Sequence, residues 1–139
     1  MIKVLKKQWG YVMAIKRDQA DHYFSKVVRA RDQWCMSCGK TEYLQAMHIV
    51  GRRTKVVRWS LDNAVTGCSG CHRYYTENPL AFHDWLRSLL GDGHLDILRE
   101  KARGIMKTNK ALRAEIAKHY REELKLIEGD PGYTPVSYN

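Results

Sequence analysis

Apolar positions recur at helical spacing in four stretches of the chain and alternate in one. From Asp18 to Arg31 the apolar residues Phe24, Val27 and Val28 form a stripe, with Arg29 and Arg31 on other faces, so this stretch is predicted helical. Leu44, Ala46, His48 and Val50 then alternate with Tyr43, Gln45, Met47 and Ile49, the period of a strand, with His48 near its end. Gly51 to Arg58 is a basic stretch that reads as a hairpin connection, and Asn63 to Thr66 makes a short return strand. The next helix begins at Cys71 or restarts at Asn78, where Asn78-Pro79 offers an N-cap followed by proline at the first helical position. Phe82, Trp85, Leu86, Leu89 and Leu90 hold helical spacing up to Gly91, which is placed to end the helix. A shorter helix spans Leu95 to Arg103, closed by Gly104. Thr108 or Asn109 caps a last helix that runs to Glu128, with Leu112, Ile116, Tyr120, Leu124 and Ile127 on one stripe.

These elements predict an α+β chain that is mostly helical. Its organisation reads as a basic, helical amino-terminal segment over residues 1–34, a central module over 35–90, carboxy-terminal helices over 91–128 and a tail over 129–139. The tail contains two prolines and two glycines and carries no periodicity. The last helix is charged on its other faces, so its apolar stripe needs a partner: the core, or a second subunit in a homodimer.

The length of 139 residues suits one domain with a modest core. No apolar run is long enough to span a bilayer, so no membrane association is expected and the protein should work in the cytoplasm, that of the host cell if a phage encodes it. The formal net charge of +9 adds a partner class, because it is unevenly distributed. Residues 1–34 hold eight Lys/Arg against three acids and residues 35–78 six against three, while residues 79–139 are nearly balanced at ten against nine. A basic excess around the central module favours a polyanion, nucleic acid before membrane, since no basic helix with a lipid-facing stripe stands out.

All four cysteines fall in two pairs, Cys35-Met36-Ser37-Cys38 and Cys68-Ser69-Gly70-Cys71. Two CxxC knuckles can close a tetrahedron of thiolates around one Zn²⁺. A disulfide within either pair would close a trivial loop, and no secretory signal accompanies them, so zinc is the expected use. Four sulfurs saturate such a site and leave His48, between the knuckles, and His72, directly after the last sulfur, for separate chemistry.

The order CxxC, strand ending in His, return strand bearing Asn, then CxxCH opening a helix resembles the HNH, or ββα-metal, nuclease module over roughly Cys35 to Trp85. The closer resemblance is to the phage lambda NinG (Rap) recombination-nuclease family. It is carried by Phe24-Ser25-Lys26-Val27-Val28-Arg29-Ala30-Arg31-Asp32 before the first knuckle, Leu61-Asp62-Asn63 before the second and Asn78-Pro79-Leu80-Ala81-Phe82 after it. It covers about two-thirds of the chain.

The resemblance implies a zinc-stabilised HNH-like module flanked by helices, and a DNA endonuclease acting on branched recombination intermediates with Mg²⁺ or Mn²⁺. His48 stands at the position of the general base, a role open to a neutral imidazole at neutral pH. Asn63 is the middle Asn of the motif, grouped with His48 in the catalytic set and expected to hold the loop against the His48 strand. His72 stands at the position of a ligand for the catalytic cation. The residue before the base commonly supplies a second ligand in the wider HNH pattern; here it is Met47, whose thioether is a poor ligand for a hard cation. Asn78 is therefore assigned to that cation, with an N-cap role as the competing reading and Thr76 and Glu77 as further candidates.

Arg52, Arg53, Lys55 and Arg58, with Arg73 beside the metal site, are expected to neutralise phosphates of DNA. Trp59, Tyr74 and Tyr75 are nearer to core or knuckle packing than to base stacking. The alternative function is a catalytically silent zinc module that only binds nucleic acid, which Met47 favours.

Overall fold

The computed structural model describes residues 16–139, so the first fifteen residues of the basic amino-terminal segment lie outside the described part. Helix α1, Gln19–Asp32, starts at a reciprocal capping box: the Asp21 N–H donates to Asp18 Oδ1 at 3.0 Å and the Asp18 N–H to Asp21 Oδ2 at 3.1 Å. It stops at Gln33, whose φ of 70° is left-handed.

Strand β1, Leu44–His48, pairs antiparallel with β2, Ala64–Cys68, in a two-stranded sheet. The register sets Leu44 opposite Cys68 and His48 opposite Ala64. The sheet therefore carries a metal-type residue at one end and His48 at the other. Met47 lies across its partner strand, and a Cβ on Gly67 would come within 2.5 Å of the Met47 sulfur, so position 67 tolerates only glycine without a shift.

The connection between the strands is more structured than a hairpin loop. It contains the short helix α2, Lys55–Arg58, and a 3₁₀ turn, Leu61–Asn63, and it buries Val57, Arg58 and Trp59. Helices α3, Ser69–Glu77, and α4, Pro79–Leu90, follow, so the chain uses both helix starts left open by the sequence. Then come α5, Asp92–Ala102, and α6, Lys110–Gly129, capped by Asn109 through Oδ1 to the Leu112 N–H at 2.8 Å.

Two apolar clusters organise these pieces. The larger joins Phe24, Val27 and Val28 of α1 to Ile116, Ala117, Tyr120 and Ile127 of α6, with Trp59, Leu61 and Ala64 between them. The smaller joins Met47, Val65, Leu86 and Leu95. At about 1.5–3 kcal/mol for each fully buried large side chain, α1 against α6 is the main source of burial energy. The apolar stripe of α6 that raised the homodimer is thus covered by the chain's own α1, which removes the ground for that expectation. Amino- and carboxy-terminal segments share one core rather than standing apart, because neither helix can bury its stripe alone.

The predicted tail is also an integrated part of the fold. Glu123 is buried and accepts from the Tyr133 hydroxyl at 2.8 Å and the Val136 N–H at 3.0 Å, while the Ser137 hydroxyl accepts from the Leu61 N–H at 3.0 Å. Its prolines and glycines rule out regular structure, not docking.

Arg58 holds the connection to α1. Its Nε donates to Asp21 Oδ1 at 2.9 Å, its Nη2 donates to Asp21 Oδ2, and Trp59 Nε1 donates to Asp21 Oδ1 at 3.1 Å. Burial opposes ionisation of Asp21, but the Arg58 hydrogen bonds and charge outweigh it and keep the carboxyl below its ordinary range. Replacing Asp21 by alanine leaves a buried, uncompensated guanidinium, so Asp21→Ala is expected to lose about 3–5 kcal/mol in urea unfolding. A loss below about 1 kcal/mol would show that the pair contributes no more than a surface ion pair.

Candidate metal centre and histidine cleft

Each knuckle is a tight turn built by its own backbone. The Cys38 N–H donates to Cys35 Sγ and the Cys71 N–H to Cys68 Sγ, both at 3.4 Å. Gly39, at φ 80°, turns the first knuckle back so that its N–H reaches the Cys35 carbonyl at 2.8 Å. The Met36 N–H donates to the Thr66 carbonyl at 2.9 Å, which docks the first knuckle on β2 and brings it beside the second.

The four sulfurs lie within 4.8 Å of one another, and Cys38 Sγ is 3.7 Å from Cys68 Sγ. A tetrahedron with metal–sulfur bonds of about 2.3 Å has edges of about 3.8 Å, so the separation fits one shared cation. Burial raises the Cys35 thiol, but the N–H groups aimed at its sulfur outweigh that and bring it down to about 6; burial and the neighbouring sulfurs push Cys71 up to about 12. Four thiols this close ionise together only around a cation. Cys35, Cys38, Cys68 and Cys71 are positioned to hold a metal ion, and the set is compatible with structural zinc.

The two predicted histidines share one cleft. His48 packs its ring against Phe24, with 5.5 Å between centroids, and its Nε2 lies 2.9 Å from the Arg58 carbonyl. A carbonyl only accepts, so Nε2 carries the proton and Nδ1 keeps a lone pair. Burial lowers its pKa to about 4, partly offset by the bond to Arg58, so His48 is neutral at physiological pH.

The unfolded chain protonates this imidazole below about pH 6.5 and the folded chain only near pH 4. Its stabilising share is therefore complete above pH 6.5 and is lost as pH falls toward 4, on the order of 2–3 kcal/mol. Urea unfolding of the parent and of His48→Gln at pH 7.5, 6 and 5 isolates that share. The parent is expected to lose more stability than the variant over this range; parallel losses would contradict it.

His72, in the first turn of α3, sits with Nδ1 2.6 Å from Gln45 Oε1, and burial lowers its pKa. The Gln45 oxygen accepts, which places the proton on Nδ1 and leaves the Nε2 lone pair for a ligand. Both imidazoles line a cleft of about 680 Å³ that includes Leu44, Gln45 and Ala46 of β1 and is walled by Arg17, Asp21, Ser25 and Arg29 of the α1 segment and by Arg52. They also share a smaller cavity of about 220 Å³ with Thr76, Tyr75 and Phe82.

The other predicted site residues separate. Arg52 lines the cleft, and Arg53, Lys55 and Arg73 are exposed. Arg58 is buried on Asp21, and so is corrected from a phosphate contact to an interior brace. Asn63 is fully buried: its side chain accepts from the Val50 N–H at 2.8 Å and donates to the Val50 and Val57 carbonyls at 2.9 and 3.0 Å. It is a positioning residue that closes the loop behind His48. Asn78 donates Nδ2 to the Tyr74 carbonyl at 2.9 Å, makes no side-chain cap and lines neither cavity; Thr76 takes its place there. Trp59 is core, Tyr75 stacks on Trp85 and Tyr74 is exposed.

Compared with protein-family models, curated proteins and solved structures, the chain matches none.

Gln45, Asp21, Arg17 and Arg29 join the site without having been singled out by sequence. Asp21 carried the Asp18-x-x-Asp21 spacing of a capping box, and Arg29 lies in the Phe24–Asp32 stretch of the resemblance, but neither pattern marked a site.

Proposed function

We propose that the protein is a metal-dependent DNA endonuclease of HNH-like design that hydrolyses phosphodiesters in branched or recombination-intermediate DNA. The observation that carries this reading is the pairing of two imidazoles of complementary tautomer on one cleft: His48, neutral with its proton on Nε2, and His72 with its proton on Nδ1. The succession β1, β2, α3 around a four-cysteine centre supports the ββα-metal comparison, and so does the likeness of the motifs to the NinG family.

In this reading zinc at the four cysteines is structural, because four sulfurs leave no open position for substrate. His48 Nδ1 takes the proton of the attacking water, and the Arg58 carbonyl, on Nε2, stabilises the imidazolium that forms. His72 Nε2 would hold Mg²⁺ or Mn²⁺, which supplies charge stabilisation at the phosphate and leaving oxygen when bound. Gln45 keeps His72 in the tautomer needed for that. Asn63 fixes the turn from which Arg58 presents its carbonyl, Arg52 brings positive charge to the cleft, and the exposed Arg53, Lys55 and Arg73 would contact phosphates farther along the DNA.

The second reading, a silent zinc module that binds nucleic acid, is favoured by Met47. It lines the smaller cavity with both histidines, but its thioether is a poor ligand for a hard cation, which leaves His72 as the protein's main ligand. A nicking assay on a four-way junction and on linear duplex, with Mg²⁺, Mn²⁺ or neither, separates the two. Cation-dependent nicking of the junction is the expected result; tight binding with no nicking under any cation would establish the silent module.

A further inference from the structure

The cleft has a wall that no motif reading assigned. Arg17, Asp21, Ser25 and Arg29 succeed one another every four residues and line the cleft shared by His48 and His72, with Arg52 also contributing to its lining. Asp21, the acidic residue on this wall, is already engaged by Arg58 and Trp59, so its charge is compensated from within the fold. The wall as a whole is cationic.

We propose that this face of α1 is the backbone-gripping surface of the protein, with Arg17 and Arg29 contacting phosphates of the strand that lies in the cleft. The inference rests on the nucleic-acid reading above and names the residues that seat the substrate there. Arg58 is unavailable for that work.

Three observations favour a phosphodiester over a small metabolite. The cleft follows β1 from Leu44 to His48, has arginines from both the α1 segment and the inter-strand connection, and reaches the imidazole that would act on the phosphate. Arg29 is half-buried and its Nε donates to the Ser25 carbonyl at 3.2 Å, which holds the guanidinium in place. Burial first, and then the charge of Arg17, disfavours the charged form of Arg29; two cations on one wall are both relieved by anions lying along it. Successive phosphates of a strand supply such anions, and arginine can bind each through two donors.

The test is binding of a fluorescent four-way junction and a linear duplex across a salt series, with melting temperature as the control for folding. Arg17→Gln/Arg29→Gln is expected to weaken binding at least tenfold for all sequences alike and to lower the magnitude of the salt slope by about two. In the cleavage assay KM should rise while kcat stays within about threefold. Arg17 is exposed and precedes the helix, so if the double variant melts early, Arg17→Gln alone carries the test with an expected slope change of about one. A parent-like slope in a folded variant, with the parent still binding and nicking, overturns the α1 surface and leaves the nuclease reading intact. Failure of the parent to bind DNA overturns both.

Discussion

Removing the metal from the four-cysteine centre is expected to unfold the module built on it. Cys35 and Cys68 are buried at 1 % and 5 % exposure, and Cys68 is both the last residue of β2 and the cap of α3, accepting the Cys71 N–H. The centre therefore ties the sheet to the helix that carries His72. Structural zinc contributes roughly 10–16 kcal/mol in small zinc domains, which equals or exceeds the roughly 5–15 kcal/mol that holds a whole domain folded. Metal analysis should return one zinc per chain. A chelator, or Cys68→Ser, should abolish the cooperative melt of the strands and α3, whereas Cys38→Ser, at an exposed corner, should cause a smaller loss. Withdrawing Mg²⁺ alone should stop cleavage with circular dichroism unchanged. An apo protein that melts at the parent temperature would disprove the structural role.

His48→Ala should reduce cleavage by roughly a hundredfold or more, the usual contribution of a positioned general base. The variant also removes the donor to the Arg58 carbonyl and leaves space beside Phe24, so a fall in melting temperature is expected with it. Cleavage at a temperature well below the variant's midpoint separates the two effects. Because burial holds the imidazole pKa near 4, the parent's rate should stay level from pH 8 to pH 6 and fall only as pH approaches that value, unlike a base with the ordinary midpoint near 6.5. His72→Ala should instead raise the divalent-cation concentration required. A parent rate in His48→Ala would remove His48 from the chemistry, and a rate falling steeply between pH 7 and 6 would show a different group accepting the proton.

Much of this architecture was legible because it is local. Helix α1 starts next to Asp18, where its apolar stripe placed it, and α6 starts after Asn109, one of the two caps the sequence offered, since a cap depends on only three or four neighbouring positions. The alternation around Leu44–His48 marked the strand, and two CxxC spacings marked the centre, because backbone geometry within a knuckle already aims two sulfurs together. The Asn63 loop clamp followed from the amide's ability to satisfy a turn's orphan groups, which here are those of Val50 and Val57.

What depended on distant partners was not legible. Arg58 looks in sequence like one of four cations in a basic loop, and only the approach of Asp21, thirty-seven residues earlier, makes it interior. Asn78 stands at the N-cap of α4 before Pro79 as its sequence suggests, yet the Tyr74 carbonyl one turn back takes its side-chain amide, so the side chain neither caps the helix nor lines a cavity. The carboxy-terminal segment looks like a tail until Glu123 and Tyr120 offer it partners, and the α6 stripe looks unclaimed until α1 covers it.

The sequence by itself determined the helical and strand periods, the four metal-type sulfurs and the two histidines with chemical capacity. The tertiary structure decided which nitrogen of each histidine is open, which arginines face the cleft and which helix face is buried. The physical reason is range. Periodicity, capping and chelate spacing are set by bonds within a few residues, whereas tautomer, burial and charge pairing are set by whatever the fold brings within hydrogen-bonding distance, and no local pattern records that.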